Sequence, residues 1–154
     1  MNDVLNDAVI KAVKETFKAV IGSAPQNSPP TETKMNGVQV DTSVIISFVG
    51  EVSGVFTLRC SKEFGAKIAS QMLGIEISAD SDDMKDAIGE MFNMIVGAIK
   101  SFYSADTDPF KISVPTTVIG EDYQVQISAG RDPVVSLIAF TYGSDEMSIE
   151  VFLS

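Results

Sequence analysis

Glu90 and Asn93 stand three residues apart in the apolar run GEMFNMIVG, residues 89–97, a spacing at which two side chains share one face of a helix. A carboxylate there can pair with a lysine, and an amide, which both donates and accepts hydrogen bonds, can orient a water molecule without titrating. Such a pair suits hydrolysis in which another molecule supplies the metal and the electrophile, as the water-positioning glutamine of GTPases illustrates. The same two residues are also ordinary company on the wet side of an amphipathic helix, and periodicity alone favours that plainer reading.

Few other routes to chemistry are open. The chain has 154 residues, no histidine and a single cysteine, Cys60, so Ser-His-Asp, Cys-His and the usual zinc arrangements cannot be built. Cys60 shares a strand face with Phe56 and Leu58 and reads as a small buried hydrophobe. One cysteine permits no intramolecular disulfide and fits a reducing compartment. No strand-GxxxxGKS-helix, GxxxxGKT or GxGxxG segment is present, which argues against a nucleotide-binding fold. Eleven basic residues against 21 acidic ones give a net charge of -10, a surface that repels phosphate backbones and anionic lipid, so neither nucleic acid nor membrane is an expected partner. The start, MNDVLNDAVIKAVKETFKAVIG, lacks the marks of a secretory signal, and no run approaches the roughly 20 apolar residues of a membrane span. A cytoplasmic protein is expected, with residues 1–154 as one domain whose 45% hydrophobic content suffices for a core.

The elements that must position the pair follow from periodicity. Val4, Leu5, Ala8, Val9, Ala12, Val13, Phe17, Val20 and Ile21 recur at helical spacing, with a stop near Gly22 and Pro25. Residues 23–37 are rich in Pro, Ser, Thr and Asn and read as a loop. DTSVIISFVG and GVFTLRC flank EVS as an antiparallel hairpin. Ser61 caps a helix to about Leu73, stopped by Gly74. A longer helix runs to about Ser104, with Asp82 and Asp83 in its positive first turn. Four strand candidates follow, KISVPTTVIG, YQVQIS, VVSLIAFTY and MSIEVFLS, separated by GED, AGRDP and GSDE, with Tyr123, Val125 and Ile127 alternating against Gln124 and Gln126. Three helices and about six strands suggest an α+β fold, a mostly antiparallel sheet with helices packed on one face.

On the longer helix, Ile88, Met91, Phe92, Ile95, Ile99, Phe102 and Tyr103 fall on one side at about 100° per residue. Asp83, Asp86, Glu90, Asn93, Gly97, Lys100, Ser101 and Ser104 line the other. Gly97 costs about 1 kcal/mol relative to alanine in mid-helix, and such a glycine often permits close approach by another backbone.

These residues resemble the CheC/CheX/FliY phosphatases of bacterial chemotaxis. The family motif is an acidic residue or serine, three residues, Glu, two residues, Asn, and a proline a little over twenty residues later; here it reads Asp86, Glu90, Asn93 and Pro115. The glycine of NMIVG and the hairpin SFVGEVSGVFTLRC are similar too, and the likeness extends over nearly the whole chain. CheC-type members carry the motif on two helices, but Glu15 here is followed by Thr16, Phe17 and Lys18, so the first helix has no ExxN. FliY-type members add a flagellar-switch domain for which no length remains. One motif per chain matches CheX-type members, which are homodimers.

The resemblance implies a CheC-like fold and hydrolysis of the aspartyl phosphate of a CheY-like response regulator. It makes Asn93 the holder of the attacking water and Glu90 the partner of the regulator's active-site lysine. Asp86, Gly97 and Lys100 are candidates for supporting partner contacts, and Pro115 for a structural part of the motif. No cofactor of the chain's own is implied, since the Mg2+ belongs to the phosphorylated regulator. A catalytically inactive module that docks a receiver domain through the same face is the alternative.

Overall fold

Short-range signals set most element boundaries in the computed structural model, which describes residues 3–32, 38–104, 108–125 and 134–153. Helix α1, Asp3–Val20, ends where Gly22 takes a φ of 102° and its N–H reaches back to the Phe17 carbonyl at 3.0 Å. Leu5, Ala8, Val9, Ala12, Val13 and Phe17 are buried along it, but Val4, expected in the same stripe, is 62% exposed in the first turn. Helix α2, Lys62–Leu73, begins with the Ser61 hydroxyl accepting from Phe64 N–H and ends at Gly74 in the left-handed conformation. Helix α3, Asp82–Tyr103, is capped by Ser81, which accepts from Met84 N–H, and carries Asp82 and Asp83 in its first turn. Carboxylates there meet the positive end of the helix dipole.

The strands form one antiparallel sheet. Strand β3, Val38–Gly50, and β4, Gly54–Cys60, make the expected hairpin, in register from Thr42 opposite Cys60 to Phe48 opposite Gly54. Beyond β4 come β8, Asp145–Leu153, and then β7, Val134–Tyr142. The polar stretch after α1 is more than a loop: β1, Gln26–Asn27, and β2, Thr31–Glu32, both pair with the outer edge of β7. Pro29 and Pro30 between them lack the N–H a ladder needs, which keeps each piece short.

On its other edge β3 pairs with β5, Phe110–Ile112, and β6, Thr116–Val125. Here the strands divide differently from the expected KISVPTTVIG and YQVQIS. The break falls at residues 113–115, where Pro115 cannot donate to the ladder. GED, expected as a turn, lies inside β6 opposite a register shift of β3 between Val40 and Thr42. The long edge of β3 holds both segments in one strand and absorbs the extra residues as a bulge. Gln126, Ile127 and the AGRDP turn lie outside the described residues.

The three helices pack on one another and against one sheet face, in an α+β arrangement. Their buried side chains join Val44, Ile46, Phe48, Phe56, Leu58, Ile138, Phe140, Ile149 and Val151 in a single hydrophobic cluster. Phe48 stacks on Phe56 with ring centroids 4.3 Å apart, and Phe110 closes on Phe48 at 5.0 Å, contacts worth about 0.5–1.5 kcal/mol each beyond area burial. They anchor β5, and with it the start of β6, to the centre of the sheet. Cys60 is buried here too, its thiol pushed up to about 12 by burial and then by Asp41 and Asp145, so it is a packing residue and not a nucleophile.

Candidate functional site on helix α3

The orientation of α3 is set by its apolar side. Met84, Ile88, Met91, Phe92, Ile95, Val96 and Ile99 are all buried, and each such side chain stabilises by about 1.5–3 kcal/mol when removed from water. Rolling the helix to hide its polar strip would expose several of them at once. Phe102, expected on this side, is instead 39% exposed, with the Lys11 ammonium 4.5 Å from its ring centre. The last turn of α3 runs beside α1 there, so the ring meets a cation in place of the core. Tyr103 is half-buried, its ring 6.3 Å from that of Phe110.

The strip faces outward. Asp83, Asp86, Glu90 and Ser101 are exposed, and Asn93, Gly97, Lys100 and Ser104 are half-buried. Among the described residues, neither the Glu90 carboxylate nor the Asn93 amide is tied into a hydrogen bond or ion pair. Both are therefore free to meet another molecule. Lys100 is not: its ammonium is paired with Asp108, which also binds Lys111. Hydrogen bonds from these two lysines, Lys100 first, hold the Asp108 carboxyl down at about 2.

Pro115 lies against the same helix, at Gly89. A Cβ built at Gly89 would stand 3.4 Å from Thr117 Oγ1 and 3.9 Å from Pro115 Cβ, so the start of β6 crosses α3 one residue before Glu90. Gly97, expected to admit another backbone, has nothing within 4 Å of its Cβ position. Among the described residues the close crossing is at Gly89, and the space over Gly97 is open. Gly89 was visible in GEMFNMIVG, but only the β6 crossing shows what its missing side chain does.

The site is an open surface. A pocket of about 480 Å³ lined by Asp41, Arg59, Ser61, Glu146 and Ser148, among others, includes no residue of α3. Among the described residues no group of three or more His, Cys, Asp or Glu could hold a metal ion, and no helix is long and apolar enough to cross a membrane. What remains is a carboxylate and an amide side by side on a helix held by its buried face.

Comparison with known proteins places the chain in a family. The family model of the chemotaxis phosphatase CheX matches residues 42–139, which include α3, Glu90, Asn93 and Pro115. The chain belongs to the CheX family. The CheY-P phosphatase CheX of Thermotoga maritima is 26% identical over 121 residues, 78% of each chain. A CheC-like superfamily protein from Shewanella sp. PV-4 superposes with a TM-score of 0.87 at 21% identity, over 100% of this chain and 99% of its own. The crystal structure of the CheX–CheY–BeF3–Mg2+ complex from Borrelia burgdorferi gives a match with a TM-score of 0.76 at 16% identity, over 97% of each chain. The fold is thus the CheC-like one throughout.

Proposed function

We propose that this CheX-family chain hydrolyses the aspartyl phosphate of a CheY-like response regulator in the cytoplasm. Asn93 would hold a water in line with the phosphorus while Glu90 pairs with a lysine of the regulator's active site. Water oxygen bonds to phosphorus as the aspartyl oxygen–phosphorus bond breaks, the regulator's carboxylate leaves, and the water proton departs with phosphate or solvent. The regulator carries the Mg2+. Asp86 would lend acidic character to the docking strip, and Lys100 would keep the end of α3 in place through Asp108.

The observation that carries this reading is the outward Glu90 and Asn93, without a partner among the described residues, on a helix locked by its buried face. Support comes from the CheY-P phosphatase activity named for the Thermotoga relative and from the CheY-bound Borrelia complex. The test is phosphate release from phosphorylated regulators with and without the protein. Wild type should accelerate it, and Asn93→Ala should lose about 10² or more in rate, the usual cost of losing a positioning group. Acceleration by Asn93→Ala at the wild-type rate would defeat the assignment. Binding without acceleration by wild type would make the chain a docking module instead.

The reading includes a homodimer joined at a sheet edge. Among the described residues β6 pairs only with β3, leaving a long edge able to meet its own copy about a two-fold axis. Sedimentation should then give about twice the 16.5 kDa chain mass; a single-chain mass at assay concentrations would remove the dimer.

A further inference from the structure

Residues 113–115 do more than interrupt a strand. Ile112 is opposite Phe48 and Thr116 is opposite Ile45, so these three residues face only Ile46 and Ser47 on β3. One extra residue in a strand is a β-bulge, a device that re-aims a side chain. Ser113 fastens the bulge, its N–H donating to the Ser47 carbonyl at 2.9 Å and its hydroxyl accepting from the Ser47 N–H at 3.0 Å. Pro115 fixes the other side, seated against Gly89 of α3. Between the two fasteners Val114 projects into solvent, 84% exposed, more than any other large hydrophobic residue among those described.

Val114 has a counterpart across the strip. Met94 is 40% exposed and lies roughly 40° around α3 from Glu90, on the side away from Asn93, whereas Gly89 lies roughly 100° from Glu90 on the Asn93 side. Pro115 sits at Gly89, on the Asn93 side, and the exposed Val114 adjoins it in the chain, while Met94 is on the Glu90 side. The helix face that carries the polar pair thus has an exposed apolar residue of its own on one side and, on the other, a neighbouring strand segment that carries a second. A β-branched valine on a fastened bulge has little rotamer freedom to lose on contact, so its burial returns most of its hydrophobic gain.

We propose that Val114 and Met94 are docking residues for the phosphorylated regulator, fitting apolar side chains that rim its phosphoaspartate site and closing the two sides of that site to bulk water. This rests on the function proposed above. Apolar closure on both flanks removes water that would compete for the Asn93 amide and for the Glu90–lysine pair, and a drier site strengthens both. It also gives an acidic protein a contact with its regulator that salt does not screen.

The experiment uses the full chain and a regulator chosen by direct binding of its BeF3-activated form. Val114→Thr keeps the shape of the side chain and Met94→Gln keeps its length, so the double variant changes polarity with little change in form. It should raise KM, and the Kd for the BeF3-activated regulator, by about tenfold, as expected for losing roughly 1.4 kcal/mol of apolar contact, with melting temperature near wild type. Val4→Thr, at an exposed valine of α1, should change none of these. A KM and Kd within twofold of wild type, a fall in kcat alone, or the same loss in Val4→Thr would overturn the proposal. Because Kd is read without turnover, wild type that binds but does not hydrolyse would defeat the catalytic reading while leaving the docking residues decided. Wild type that binds no regulator would remove both.

Discussion

Asn93 keeps the same donors and acceptors across the physiological pH range, so the proposed reaction takes its pH dependence from the regulator and the water and not from this residue. Glu90 differs, because its value depends on charge. Glu90→Lys should raise KM more than Glu90→Ala, since it replaces attraction to the regulator's lysine with repulsion, and raising ionic strength should narrow the gap between the two. Equal KM values for both variants and wild type would show that no cation is met there. Both residues were legible in the sequence because ExxN, its acidic forerunner and its proline are one-dimensional spacings on an evident amphipathic helix. The roles of Gly89 and Val114 were not. Each depends on a strand distant in sequence crossing α3, which no local pattern records.

Under the proposed function α3 serves catalysis and folding in one element, its buried face holding the helix still and its strip meeting the partner. Gly97 separates the two roles. Nothing lies within 4 Å of its Cβ position, so Gly97→Ala should stabilise the helix by about 0.8–1 kcal/mol through propensity alone. Gly97→Leu should stabilise it nearly as much yet project into the docking face. Thermal unfolding should rise for both, and KM should climb for leucine well beyond alanine; a leucine variant with wild-type KM would show that the partner does not reach this part of the strip. Helix ends were readable from Ser61, Gly22, Gly74 and the Asp82–Asp83 pair because helix starts and stops are set within a turn of the residues that make them. The β5–β6 break was misplaced because GED carries turn chemistry, while the long edge of β3 offers pairing that outweighs it.

Across the whole molecule, the sheet face turned away from the helices holds a buried ion pair. Arg59 Nε stands 2.7 Å from Glu150 Oε1, with side chains only 4% and 9% exposed, although the N–H is not aimed along that line and Nη1 has no partner among the described residues. The contact is therefore an ion pair more than a directed hydrogen bond. Burial raises the Glu150 carboxyl above its usual value, and Arg59 offsets part of that rise. Arg59→Leu should cost about 3–5 kcal/mol by leaving a buried carboxylate unpaired. Removing Arg59 raises the folded-state value further, so the folded variant retains a proton that the unfolded chain has lost, and its stability falls as pH rises toward that value. Urea unfolding should show a larger deficit at pH 8 than at pH 5; equal deficits would mean the pair acts through packing and not charge. By itself the sequence determined the helices, the hairpin, the absence of histidine chemistry and the Glu90–Asn93 strip, because these are matters of composition, period and capping within a few residues. Only the tertiary structure decided that Val114 is lifted into solvent, that Gly89 admits Pro115, and that Lys100 is already engaged, because each of these depends on the chain after α3 folding back along β3 and against the helix.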